Sequence, residues 1–275
     1  MIKNRASKLN IALSYQTFIL GSPYQQLKLM TEKKIAILSD VHGNSWALKE
    51  VLLDIKTKGI NTIINLGDSL YGPLDPHGTF NLLIENDVLS IRGNGDRIIL
   101  ENLDSTSKYK TMEYVKSQID NTTIDWLKSL PFELIHSHIY CCHASPESDS
   151  TYLLESLKSD YITVKDYQEI DQILKDIKQK VVVCGHSHVS KIVKTDNRTI
   201  LNTGSVGLPA YDDELPIPHK MENFNSYARY SILTLSEDSV DIEQVAISYN
   251  YEAAARMAEE NNRNDWAKWI RTGRA

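Results

Sequence analysis

The chain has 275 residues, 41% hydrophobic and 24% charged, with a formal net charge of −6 at pH 7. It is long enough to bury a sizeable core as a soluble globular protein, and the absence of a long basic run argues against a protein whose main task is holding nucleic acid by its phosphates. A small anionic substrate stays open, because bound metal ions reverse the local field.

Residues 1–30 read as a poorly ordered N-terminal extension ahead of a single domain over 31–275. Lys3, Arg5 and Lys8 precede the apolar Leu9 to Leu20, but Asn10, Ser14, Gln16 and Thr17 interrupt that run. No small-x-small cleavage site follows, so a secretion signal is the weaker reading, and Met30 stands as a natural start. No stretch is long and apolar enough to span a membrane. The three cysteines, Cys141, Cys142 and Cys184, lack disulfide or zinc-finger spacing and sit inside apolar runs. They read as small core residues in a reducing, cytoplasmic setting.

The first element is Ile35-Ala-Ile-Leu-Ser-Asp40-Val-His42-Gly-Asn44, an apolar run that turns polar as it emerges. That is the pattern of a strand buried on both faces. Asp40 and His42, two apart on an extended backbone, would share one face at its C-terminal edge. Ser45 is placed to N-cap the helix that begins at Trp46. Thr62 to Leu66 then runs into Gly67-Asp68, and the turn-rich Ser69 to Gly78 puts Tyr71 and His77 near the same edge, ahead of a helix around 79–85. Val88 to Ile91 leads into Arg92-Gly93-Asn94-Gly95-Asp96.

Residues 97–130 read as a helical insertion, and Glu133 to Ile139 as a hairpin bend with His136 and His138 solvated at the turn. Ile139 to Cys142 delivers His143; residues 146–179 read as mostly helical; Val181 to Cys184 delivers Gly185-His186-Ser187-His188. Hairpins follow at 191–201 and 230–245, with a long Pro-bearing loop over 211–225 as a candidate lid. C-terminal helices over about 250–272 carry Trp266 and Trp269, docked on the body or on a partner subunit. Five runs thus deliver two Asp, one Asn and four His to one strand edge, where open α/β sheets bind ligands.

In order, Asp40-x-His42, Gly67-Asp68, Gly93-Asn94-x-Asp96, His143 and Gly185-His186-x-His188 resemble the motifs of the calcineurin-like metallophosphoesterases. The match runs over about residues 34–235, and Asn202 to Gly207 resembles the stretch after the metal ligands in small bacterial members. The resemblance implies an α/β fold, a four-layer α-β-β-α sandwich of two mixed β-sheets flanked by helices, with a dinuclear metal site at the strand C-terminal edge. It implies that Asp40, His42, Asp68 and His188 hold one ion, and Asp68, Asn94, His143 and His186 the other, with Asp68 bridging. Mixed imidazole and carboxylate ligands suit two divalent transition-metal ions, manganese foremost, with iron, zinc or nickel as alternatives. Such a pair, roughly 3.5–4 Å apart, activates a bridging hydroxide for attack and clamps the oxygens of a phosphoryl group. Catalytic roles fall to Asp68, Asn94 and His143, and substrate contacts to Asn94, Tyr71 and His77.

One position departs from the family. Many members carry His between the Asn and Asp of the third motif, where it binds phosphate and protonates the leaving group; here it is Gly95. General acid catalysis is typically worth about 10²–10⁴-fold, so unactivated monoesters should suffer, and Asp96 is left as a local turn acceptor. Small bacterial phosphodiesterases resembling this chain also lack that His. The expected reaction is therefore hydrolysis of a phosphodiester or nucleotide anhydride in a small, nucleotide-like phosphorylated substrate. No membrane or stable nucleic-acid partner is expected, and a homo-oligomer stays open. A protein Ser/Thr phosphatase or a dinucleoside polyphosphate hydrolase would use the same centre. A non-enzymatic scaffold on this fold is the remote alternative, against which seven intact candidate ligands count.

Overall fold

The apolar runs become strands because each alternates between two buried faces. In β1 (Lys33–Leu38), Ile35 and Ile37 point one way and Ala36 and Leu38 the other, and all four are fully buried. The computed structural model describes residues 33–106, 109–158, 161–236 and 239–275, so the expectations for residues 1–30 and Met30 lie outside the described residues. β1 pairs in parallel with β2 (Thr62–Asn65), which pairs in parallel with the short β3 (Leu89–Ser90). On its other side it pairs antiparallel with β13 (Ala228–Leu235), and β13 with the edge strand β14 (Val240–Ile247). The second sheet runs β4 (Glu133–His136), β5 (Ile139–Cys142), β8 (Val181–Cys184), β10 (Thr199–Asn202) and β9 (Lys191–Lys194), with parallel pairing at β5–β8 and β8–β10.

The two mixed sheets face each other across Ile35, Ile37, Ile64, Leu66 and Ile91 from one and Ile139, Cys141, Val183 and Leu201 from the other. Outside the first sheet lie α1 (Ser45–Thr57), α7 (Tyr251–Glu260) and α8 (Asn264–Thr272), packed on Ala36, Leu38, Tyr230 and Ile232. Outside the second, α6 (Tyr167–Ile173) contributes Ile170 to a cluster with Tyr140, Cys142, Val182 and Cys184. The result is a four-layer sandwich flanked by helices. Four further helices, α2 (Pro76–Glu85), α3 (Asn94–Glu101), α4 (Lys110–Gln118) and α5 (Asn121–Ser129), share a separate cluster around Leu70, Phe80, Ile99, Val115 and Leu127. Among the described residues no helix is long and apolar enough to cross a membrane.

Several local expectations need correction. Asn44, not Ser45, caps α1: its side chain accepts from the Ala47 N–H, while the Ser45 hydroxyl donates to Asp75. Residues 146–179 are not mostly helical, because Leu153, Leu154, Ile170 and Leu174 meet the second sheet at irregular spacing. They form an irregular segment, a hairpin of β6 (Glu155–Leu157) and β7 (Ile162–Val164), and only the short α6. Residues 211–225 are not an open lid but carry the hairpin of β11 (Ala210–Asp213) and β12 (His219–Glu222). The C-terminal helices, by contrast, lie where expected, separated at 261–263, and of the two surfaces left open they dock on the body of their own chain through Ala254, Ala255, Trp266 and Ile270.

Candidate metal centre

Strand register brings the motifs together. Leu38 lies opposite Asn65, so the segments after β1 and β2 emerge side by side, and the Asp40 N–H donates to Gly67 O (3.0 Å) and the His42 N–H to Asp68 O (2.9 Å). Across the sandwich Cys141 lies opposite Val183, and the Gly185 N–H donates to His143 O (2.8 Å). Gly185 has to be glycine here: a Cβ would lie 1.9 Å from Ser39 Oγ, and the close approach lets the His186 N–H reach Asp40 Oδ2 at 3.0 Å.

The expectation of an extended Asp40-x-His42 does not hold. β1 ends at Leu38, and Asp40 (φ 54°) and His42 (φ 52°) both adopt the left-handed conformation, as do Asp68 (52°), His186 (65°) and His188 (60°). Non-glycine residues there are strained and persist only where their surroundings fix them. The stretch Asn202 to Gly207 does much of that fixing. Ser205 Oγ and the Gly207 N–H donate to Asp40 O, the Val206 N–H to Ser39 O, and Asn202 Nδ2 to Gly185 O (2.7 Å).

The side chains converge as acceptors. His42, His143 and His188 each set Nδ1 against a backbone carbonyl, of Tyr71 (2.8 Å), Leu66 (2.9 Å) and Leu208 (2.6 Å) respectively, so Nδ1 carries the proton and Nε2 the lone pair. Yet His42 Nε2 and His188 Nε2 lie 3.1 Å apart, and His143 Nε2 lies 2.9 Å from Asn94 Oδ1. Asp40 Oδ1 is buried and accepts no hydrogen bond; its neighbour His188 Nε2 is 3.3 Å away with its proton on the other nitrogen. Lone pairs facing lone pairs in a buried site repel unless a cation sits among them, so the donor set fits metal ions. Among the described residues two groups have all their ligand atoms within 4.8 Å of one another, Asp40 with His42 and His188, and Asp40 with Asp68 and His143. Asp68 faces both sides, with Oδ2 3.7 Å from His42 Nε2 and Oδ1 3.6 Å from His143 Nε2.

Burial would raise the Asp40 pKa, but the imidazoles of His188, His143 and His42 hold it well below the usual carboxylate range. Burial pushes His42 down against the pull of Asp68, and pushes His186 down to about 4 with help from His143. A neutral imidazole is the ligand form. Asp96 is the reverse case: burial, then the nearby Asp68 charge, push it up to about 7. It accepts from the N–H groups of Ser69, Leu70 and Gly93, tying the Asp68 loop to the start of α3.

His186 lies beside the second group, its ring 5.1 Å from that of His143 and its Nε2 3.2 Å from Ser150 O, which leaves the lone pair on Nδ1. Tyr71 borders the centre, but His77 does not: it is exposed on α2 and does not line the cavity over the ligands. The sequence reading missed a supporting shell. Tyr152 stacks on His186, and its hydroxyl lies 2.6 Å from that of Tyr211 and 2.8 Å from His219 Nε2. Tyr211 donates to His186 O and Asn223 to His188 O, so the β11–β12 hairpin anchors the histidine loop. Arg97 on α3 grips Asp149, beyond His143, through two hydrogen bonds of 2.7 and 3.1 Å. No motif in the chain advertised these partners.

A cavity of about 480 Å³ opens over the centre, with His42, Asp68, Asn94, His186 and His188 on its floor. Its walls include Tyr71, Tyr109, Tyr211, Trp266 and Trp269. Trp266 of α8 stands edge-on to His42, with ring centroids 5.7 Å apart.

The profile of the calcineurin-like phosphoesterase superfamily domain matches residues 34–217. An uncharacterized protein of Methanocaldococcus jannaschii is 27% identical over 247 residues, 86% of this chain and 96% of that protein. The fold is similar to a metallophosphoesterase of Sphaerobacter thermophilus (TM-score 0.65, 19% identity, 86% of this chain and 99% of that one). It is likewise similar to a hypothetical protein of Pyrococcus horikoshii OT3 (TM-score 0.66, 16% identity, 87% and 98%). At those identities the two structures speak for the fold alone.

Proposed function

The chain belongs to the calcineurin-like phosphoesterase superfamily, and on that premise we propose that it is a metal-dependent phosphodiesterase acting on a phosphodiester or nucleotide anhydride bond. The observation that carries this reading is the packing around Gly95. Glycine offers no imidazole to the substrate from that position, and a Cβ built there would lie 3.0 Å from Tyr71 Cβ and 3.1 Å from Asp68 Oδ1, so a side chain enters only if these neighbours shift. Lacking that proton donor, the chain is better suited to esters whose leaving group needs little protonation.

In the proposed arrangement Asp40, His42, Asp68 and His188 hold one divalent ion, and Asp68, Asn94, His143 and His186 the second. When bound, such a pair supplies Lewis acidity toward phosphoryl oxygens and activation of water, with manganese the expected metal. Backbone carbonyls keep the protons of His42, His143 and His188 away from the reacting phosphate. Asn94 contributes an oxygen without adding negative charge beside an anionic substrate. Tyr71 lies against Gly95 and lines the cavity, and burial raises its pKa, so its hydroxyl keeps its proton and can donate to the substrate. Three buried, free cysteines support a cytoplasmic setting.

The test is a panel of aryl diesters, alkyl diesters and alkyl monoesters, assayed after chelation and reloading with manganese, nickel, zinc or magnesium. Rates should depend steeply on leaving-group pKa, with activated diesters fastest. Faster cleavage of alkyl monoesters than of diesters under the same metal would refute the assignment.

A further inference from the structure

We propose that the aromatic-walled part of the cavity receives the planar ring of the substrate, a nucleobase, and that Tyr109 is the specificity-determining residue for it. The inference rests on the phosphodiesterase reading and names the substrate class of that site.

The aromatic wall begins where the ligands end, with Trp266 edge-on to His42 and Trp269 beside it, ring centroids 6.1 Å apart. These two rings are nearly buried, at 4% and 6% exposure, and offer fixed surfaces. They belong to α8, which lies outside the residues 34–217 that the family model matches. Tyr109 differs: it lines the cavity yet is 62% exposed.

Besides the aromatic rings, the cavity wall carries two cations, Lys110 and Arg263, and two carboxylates, Asp212 and Asp213, so it offers no excess positive charge for a second phosphate. Tyr71, Tyr109 and Arg263 line the same cavity. Arg263 is not a free cation there. Its guanidinium holds Asp265 through Nε and Nη2, donates from Nη1 to Thr111, and lies 5.3 Å over the Trp266 ring. A neutralised, immobilised guanidinium beside aromatic rings presents flat faces more than net charge. Nucleobases stack on such faces, and an exposed tyrosine at the mouth of a cavity supplies the covering face.

The full chain, loaded with manganese, is titrated calorimetrically with adenosine 5′-monophosphate, ribose 5-phosphate and inorganic phosphate. Stacking of one base on an aromatic side chain is worth about 5- to 150-fold in affinity, so wild type should bind the nucleotide at least about tenfold more tightly than ribose 5-phosphate. Tyr109→Ala should lose most of that ratio, Tyr109→Phe should keep it, and neither should alter affinity for ribose 5-phosphate or phosphate. Tyr161→Ala, at a tyrosine equally exposed (61%) but outside the cavity, should match wild type. Equal affinities for the nucleotide and ribose 5-phosphate in wild type, or an unchanged ratio in Tyr109→Ala, would overturn the proposal. Ring preference that persists in a protein cleaving no diester with any metal would support the pocket and refute the phosphodiesterase reading, so the two fail separately.

Discussion

With its two carboxylate oxygens directed to different histidines, His143 and His42, Asp68 is where the two halves of the centre meet. Asp68→Asn keeps the shape and removes the charge, so it should release most of the bound metal and abolish turnover, read by elemental analysis and a diester assay. His77→Ala, at an exposed position outside the cavity, should change neither. Gly95 permits a sharper statement. It is not in the left-handed region, so backbone strain is not the obstacle to a side chain; Tyr71 and the Asp68 carboxylate are. Both Gly95→Ala and Gly95→His should therefore lower diester turnover by displacing Asp68, and the histidine should bring no gain in monoesterase activity. A Gly95→His enzyme that hydrolyses alkyl monoesters faster than wild type would contradict this steric account.

At the scale of elements, the join between α3 and the segment after His143 rests on Arg97 and Asp149. Burial would raise the Asp149 pKa, but the Arg97 guanidinium holds it below its ordinary value. The sign follows: a carboxyl depressed in the folded state stabilises the protein above its unfolded pKa near 4, and the contribution disappears as pH falls through the lower folded value. Asp149→Asn should thus lower the melting temperature at neutral pH, and the gap to wild type should close below about pH 4. The same scale shows what a sequence can and cannot disclose. Strand ends carrying Asp, Asn and His were legible because apolar runs stopping at polar residues leave a one-dimensional signal. The left-handed turns at Asp40 and His42 were not, because contacts from Ser205, Val206 and Gly207, remote along the chain, impose them. The β11–β12 hairpin resembled a lid for a like reason: its anchors, Tyr152 on Tyr211 and Asn223 on His188 O, are tertiary.

For the molecule as a whole, stability rests on the layer between the sheets. Ile64 is fully buried there, and Ile64→Ala should cost about 2–5 kcal/mol in chemical denaturation, the usual range for emptying a core site of that size. The sandwich architecture was implied by the family resemblance that the ordered motifs carry, whereas the strand order and the docking of α7 and α8 on the first sheet had to be seen, since an amphipathic helix does not name the surface it covers. The position of β1 has a consequence for how the protein comes into being. β1 is flanked by β2, which follows it closely, and by β13, whose Ser231 pairs with Ile37. During synthesis one side of β1 therefore waits, unpaired, until residues 228–235 have left the ribosome. The loop that clasps Asp40, Asn202 to Gly207, arrives nearly as late. Such non-local topology makes for slow folding and a long-lived sticky edge. Metal capture should await the loop that clasps Asp40, and a nascent chain stalled short of residue 228 should be handled by the cell as an aggregation hazard, with one side of β1 still open.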